Sequence, residues 1–141
     1  MDVNLLGTIR VTDAFTPHLI ARGAGDLVTV SSGIAFLPFP LMPGYAASKA
    51  GVHAYTEALR AQLAPSGITV TELVPPAVAT AGQEKVNPHA LPLGCFLDEV
   101  TERISADPTP RELLVKGVHI HRWSERDGTY AELVAQRSPG L

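Results

Sequence analysis

Tyr45 and Lys49 stand four residues apart in Tyr45-Ala46-Ala47-Ser48-Lys49, the most informative pairing in the chain. On a helix, positions i and i+4 lie one above the other on a single face. An ammonium close to a phenol favours the phenolate, so the tyrosine pKa is expected to fall from its ordinary value of about 10. A tyrosine tuned toward neutral pH can act as general acid or base. By spacing alone, an exposed helical pair is the commoner case. The elements that position the two residues therefore decide the reading.

Upstream, Asp26-Leu27-Val28-Thr29-Val30-Ser31-Ser32 reads as a short buried strand, rich in β-branched residues and ending in two serines. A loop follows, punctuated by Gly33, Pro38, Pro40, Pro43 and Gly44. A helical run then extends from about Tyr45 to Leu63. Ser32 lies thirteen residues before Tyr45, at the carboxyl end of the strand. Ligands of open α/β sheets gather at that end. A hydroxyl, a phenol and an ammonium can thus converge on one crevice, although Ser31 and Ser32 can also simply terminate the strand.

These residues carry a family resemblance. Four segments match, in order and spacing, the catalytic half of a short-chain dehydrogenase/reductase. Asn4, in Val3-Asn4-Leu5-Leu6-Gly7, resembles the family's helix bearing a catalytic asparagine. Val30-Ser31-Ser32-Gly33 resembles the serine strand, and the spacing to Tyr45 selects Ser32. Tyr45-Ala46-Ala47-Ser48-Lys49-Ala50 resembles the Tyr/Lys helix, and Ile68-Thr69-Val70-Thr71-Glu72-Leu73-Val74-Pro75 the next strand. The match is good over about the first eighty residues and weak beyond.

The resemblance implies a mechanism. Tyr45 would give a proton to a carbonyl oxygen as hydride arrives at carbon, and Ser32 would stabilise the developing charge. Lys49 would tune the tyrosine and hold the nicotinamide ribose. Asn4 would position a water linking Lys49 to solvent. Pro75, Val78 and Thr80, with Tyr45 and Lys49, would line the cofactor, NAD or NADP, which supplies the hydride. The substrate would be a small carbonyl or alcohol.

Two departures stand out. Pro75-Pro76 replaces the family's usual proline-glycine, removing a donor and a flexible position from the loop facing the nicotinamide. Pro75-Pro76-Ala77-Val78-Ala79-Thr80 and Asn87-Pro88-His89-Ala90-Leu91-Pro92-Leu93 resemble a subgroup associated with genes for D-alanylation of teichoic acids. The second departure is the lack of a Gly-rich dinucleotide fingerprint between a strand and a helix. Gly23-Ala24-Gly25 joins a helix to a strand, the reverse order. The fold class expected is therefore α/β: a partial doubly wound Rossmann-like fold lacking its N-terminal half, with a helical C-terminal tail. Residues 1–80 would form the catalytic half, and residues 81–141 a substrate loop and tail. At 141 residues the chain suffices for one core but not for the full fold.

Helix, strand, helix and strand should succeed one another, then helices. The first helix runs from about Asp2 to Arg22, with Pro17 ending or kinking it. The two strands should pair in parallel through a crossover helix. Without the missing half, one edge and one face of the sheet would be left uncovered, an aggregation hazard. By resemblance, helices 2–22 and 45–63 would build a homo-oligomer interface in a completed protein.

Beyond Thr80, residues 81–93 read as a mobile loop and, by resemblance, a substrate lid. Phe96–Ala106 reads as an amphipathic helix. Thr109 and Pro110 read as the start of a helix through Leu113, Val115, Val118 and Ile120, and a last helix spans Thr129–Gln136. His119 and His121, two apart on a helix, point about 200° apart and make poor metal partners. No zinc-ligand spacing is evident. Cys95, the one cysteine, lies in an apolar stretch and is expected to be a packed thiol in a reducing, cytoplasmic compartment. A net charge of −3 gives no reason for a nucleic-acid or membrane partner.

Three functions follow. The first is an NAD(P)-dependent oxidoreductase, inactive as this chain. The second is a non-catalytic remnant acting as a helix-mediated interaction module. The third is an epimerase or dehydratase on the same scaffold.

Overall fold

Three segments, the first two rich in β-branched residues, build a parallel sheet in the computed structural model, which describes residues 1–81 and 87–138. Strand β1 (Gly25–Val30) pairs with β2 (Ile68–Val74), with Gly25 opposite Ile68 and Val30 opposite Leu73. Strand β5 (Glu112–Leu114) lies on the other side of β2, with Glu72 opposite Glu112. β2 is therefore central, and five of its seven residues are buried: Ile68, Val70, Glu72 and Val74 in alternation, with Thr71. The expected α/β class, with parallel strands flanked by helices, is what the structure has.

Helix α1 (Thr8–Arg22) precedes β1, and helix α2 (Pro43–Leu63) connects β1 to β2. Pro43 opens α2, where its missing N–H costs no helical bond. Val52, Thr56, Leu59 and Leu63 recur at three- and four-residue steps and are buried. Leu59 and Leu63 meet Ile68 and Val70 in a cluster flanked by Leu19, Leu27 and Tyr55. A buried hydroxyl pair, Thr29 and Thr56 at 2.7 Å, crosses the same strand–helix contact. Thr56 also donates back to Val52 O, so neither hydroxyl is stranded. Gly23 ends α1 and Gly67 leads into β2, both with positive φ. A Cβ on Gly67 would stand 2.6 Å from Gly23 O, so glycine is required there by both conformation and space.

Three expectations are corrected. The first helix does not end at Pro17: it opens with a wide turn, Asp2–Gly7, and runs on through Pro17 to Arg22. Pro17 and Asp13 are exposed, so the carbonyl that proline deprives of a partner faces solvent. Residues 109–120 are not one helix. Glu112–Leu114 is β5, Gly117 turns the chain at φ 88°, and only His119–Arg122 (α4) is helical. Leu113, Leu114 and Val115 are consecutive and all buried. A run buried on both sides suits a parallel strand, whereas a helix would expose part of it. Cys95 is exposed rather than packed. It lies in helix α3 (Leu93–Ala106), which buries none of its residues.

Val74, Leu114 and Val118 form a second cluster, with Phe36 and Trp123 against it. A two-stranded ribbon, β3 (Val78–Ala79) with β4 (Leu91–Pro92), follows β2, and α5 spans Tyr130–Gln136. Residues 82–86, within the loop expected to act as a lid, lie outside the described residues. The outer edge of β1 is unpaired among the described residues. Val28 and Val30 are about half exposed there, and so is Phe15 of α1.

Leu59→Ala removes three carbons of packing between α2 and β2 and leaves a cavity. We expect it to destabilise the chain by about 2–5 kcal/mol in urea denaturation followed by circular dichroism. A loss under about 0.5 kcal/mol, the range of ordinary surface substitutions, would contradict this packing.

Candidate active site

Tyr45 lies in the first turn of α2 with 36% of its surface exposed, at the mouth of the carboxyl end of the sheet. Lys49, one turn further along, reaches across to β1: Nζ donates to Val30 O at 2.9 Å. Its Nζ stands 5.8 Å from the Tyr45 ring centroid. Burial pushes the Lys49 ammonium below the ordinary lysine range. One Nζ donor is spent on Val30 O, and the other donors stay available.

Ser31 and Ser32 differ in access. Ser31 is 2% exposed, whereas Ser32 is half-buried, so Ser32 offers the reachable hydroxyl. Its Oγ accepts from Ile34 N at 3.4 Å and caps the short turn Gly33–Ala35, against which α2 packs. Gly33 N donates to Pro75 O at 3.0 Å, which fastens the serine turn to the loop leaving β2. In that loop Leu91 N donates to Ala77 O at 2.8 Å, so the β3–β4 ribbon begins directly after Pro75-Pro76. Val78 is half-buried within the ribbon and Thr80 is exposed just beyond it.

Asn4 sits in the wide opening turn, a backbone form often found at functional positions. Its Nδ2 donates to Ser48 Oγ at 3.3 Å, and Ser48 Oγ donates to Tyr45 O at 2.7 Å. Gly51 lets this turn approach α2, since a Cβ there would meet Leu5 at 2.8 Å. Asn4, Val30 and Lys49 share the lining of an open cleft of about 630 Å³ between the chain start and β1.

Several groups outside the lining of this cleft escaped the sequence reading. His121 packs against Gly33, where a Cβ would come within 3.3 Å of its ring. Arg137 contacts His121 Nε2 and donates from Nη1 to Leu37 O at 2.9 Å. The C-terminal segment thereby supports the turn that follows Ser32. Below Lys49 on α2, His53 Nδ1 lies 2.8 Å from Oε2 of Glu72, a carboxylate with no exposed surface. The hydrogen bond that His53 donates to that carboxylate raises the His53 pKa above the ordinary value. Glu57 and Glu112 complete a group of ligand-type side chains with His53 and Glu72. The one visible sign was an acid inside the apolar run Ile68–Val74.

The short chain dehydrogenase profile matches residues 1–91, and the chain belongs to that family. It is 34% identical over 143 residues to an NADPH-dependent 1-acyldihydroxyacetone phosphate reductase of Schizosaccharomyces pombe, covering 96% of this chain and 45% of that protein. It is 35% identical over 85 residues to the uncharacterized oxidoreductase DltE of Bacillus subtilis, covering 60% of this chain and 34% of that one. Among solved structures, a Burkholderia cenocepacia short chain dehydrogenase in complex with NADP superposes with a TM-score of 0.80 at 27% identity, over 95% of this chain and 57% of that one. The chain thus spans between 34% and 57% of the length of these three proteins. No helix among the described residues is long and apolar enough to cross a membrane.

His121 supplies a pH test. Burial, then the charge of Arg137, hold its pKa below the ordinary 6.5. The unfolded chain therefore takes up this proton first as pH falls. Stability contributed by neutral His121 is complete above about 6.5 and is lost as pH drops through the lowered folded value. Urea midpoints measured from pH 7.5 to 5 should fall less steeply for His121→Gln than for the parent chain. Equal slopes would contradict a neutral His121 against Arg137.

Proposed function

We propose that this chain carries the proton-transfer half of an NAD(P)-dependent oxidoreductase acting between nicotinamide and a small carbonyl or alcohol. The observation that carries the reading is the bridge from Lys49 to Val30 O, which fixes the Tyr45 helix to the strand end that delivers Ser32. In the reductive direction Tyr45 Oη would protonate the carbonyl oxygen, and Ser32 Oγ would donate a hydrogen bond to it. Asn4, joined to α2 through Ser48, would hold the water that relays protons to Lys49.

The residues present fit the nicotinamide end of the cofactor. Lys49 keeps donors for a ribose hydroxyl, and the Pro75–Thr80 loop is stitched beside Ser32 through Gly33. When bound, the nicotinamide supplies or accepts the hydride. The adenine and pyrophosphate end has no matching cradle among the described residues, because Gly23 closes α1 and leads into β1. The NADP complex of the Burkholderia structure and the NADPH dependence in the S. pombe relative's name support a nicotinamide cofactor as the class. In a completed protein α1 and α2 would pair between subunits.

A second reading, a non-catalytic interaction module, is favoured by apolar groups left open on α1 and β1, including Val11 and Phe15, each 60% exposed. Titration separates the two in part: we expect the 141-residue chain alone to bind neither NADH nor NADPH measurably, and micromolar affinity would refute this division of the fold. In a full-length protein that supplies a Gly-rich half, Tyr45→Phe should lower kcat by about 10²–10⁴-fold with cofactor affinity unchanged. Undiminished turnover would remove Tyr45 from the role of acid.

A further inference from the structure

Beyond the Tyr45 cleft, the junction of α2 with β2 and β5 collects four ligand-type side chains from three elements. His53 and Glu57 are one turn apart on α2, while Glu72 and Glu112 are register partners on neighbouring strands. One ligand atom from each lies within 4.8 Å of all the others. Like charges directly opposite on adjacent strands repel, and a carboxylate removed from water needs compensation.

That compensation is uneven. Glu57 pairs with Arg60 and Arg111. Glu112 takes a fork from Arg122, with Nη2 at 2.9 Å and Nε at 3.0 and 3.1 Å. Glu72 is fully buried, and its Oε2 meets only His53. Its Oε1 has no hydrogen-bond partner among the described residues. A buried carboxylate with one orphaned oxygen, on a residue clustered with a histidine and two further carboxylates, is what a cation site looks like before it is filled.

We propose that His53, Glu72, Glu112 and Glu57 form a site for one divalent transition-type cation, with Glu72 Oε1 and the His53 imidazole as its innermost ligands. A mixed imidazole and carboxylate set suits zinc, manganese, cobalt or ferrous iron, whereas calcium and magnesium favour oxygen alone. The arginines do not close the site, because each carboxylate oxygen can accept more than one contact. They aim the ligands from behind, as outer hydrogen-bond partners do in metal centres. Arg122 is itself held 4.6 Å from the Phe36 ring centroid and 4.3 Å from that of Trp123, and Phe36 meets the His53 ring edge-on at 4.7 Å. Arg111, the most exposed of the three guanidiniums at 66%, opposes the ion least because water screens it. The ion would tie α2 to the two strands one turn beyond Lys49, independently of any reaction at Tyr45.

The 141-residue chain, stripped with chelator, can be titrated with CoCl₂, ZnCl₂ and MnCl₂. The proposal expects one equivalent bound, visible d–d absorption from Co²⁺, and a rise in the thermal midpoint that chelator reverses. Glu72→Gln and His53→Asn, each verified as folded by circular dichroism, should weaken Co²⁺ binding by at least roughly 10- to 100-fold. No absorption and no midpoint shift in the parent chain would overturn the site and leave an arginine–glutamate network only. Equal binding by the parent and both variants would overturn it as well, since the ion would then lie elsewhere.

Discussion

The Lys49 ammonium spans from α2 to the last carbonyl of β1 at 2.9 Å, and the placement of the candidate site depends on that one bond. Half-burying a lysine is costly unless its charge finds polar partners. Here the cost is offset by a strand carbonyl already at the sheet terminus. The bond sets the depth of α2 against β1, and with it the position of Tyr45 one turn earlier. Ser32 is fixed separately, by Gly33 bonding to Pro75 across the end of β2. Two neighbouring strands and one helix thus each hold one part of the candidate site, and β1 pairs with β2 in parallel.

The same helix is held twice more as it descends. Thr56 meets Thr29 within the core, and His53 meets Glu72 between them and Lys49. A buried ionisable pair adds little net stability against an apolar replacement, yet removing one member is costly. Its presence in an otherwise apolar contact therefore calls for a role other than packing, and the ligand geometry around it supplies one. His121 and Arg137 act on the opposite side, bracing Gly33 and Leu37 from the C-terminal segment.

Much of this was legible because it is local. Strands β1 and β2 announce themselves by β-branched runs, and α2 by Val52, Leu59 and Leu63 at helical steps. Asn4, Ser32, Tyr45 and Lys49 stand as candidates on family resemblance and on the spacing of Ser32, Tyr45 and Lys49. β5 was not, because Leu113-Leu114-Val115 is too short for periodicity to separate a strand from a helix. Pro17 misled because an exposed helix tolerates a carbonyl bonded to water. Cys95 misled because its apolar neighbours, Leu93 and Leu97, are themselves 44% and 51% exposed. The His53–Glu72–Glu112 group was invisible because its members meet only after β2 and β5 pair. The bracing by His121 and Arg137 was hidden for the same reason: Arg137 reaches Leu37 across a separation of 100 residues.

The most direct test is a crystal structure, with NADP(H) and a ketone analogue, of this chain completed by a Gly-rich dinucleotide-binding half. Our account predicts the analogue's carbonyl oxygen within hydrogen-bonding distance of both Ser32 Oγ and Tyr45 Oη, with Lys49 Nζ on a ribose hydroxyl. An oxygen that reaches neither side chain, or Ser32 and Tyr45 facing away from each other, would contradict it.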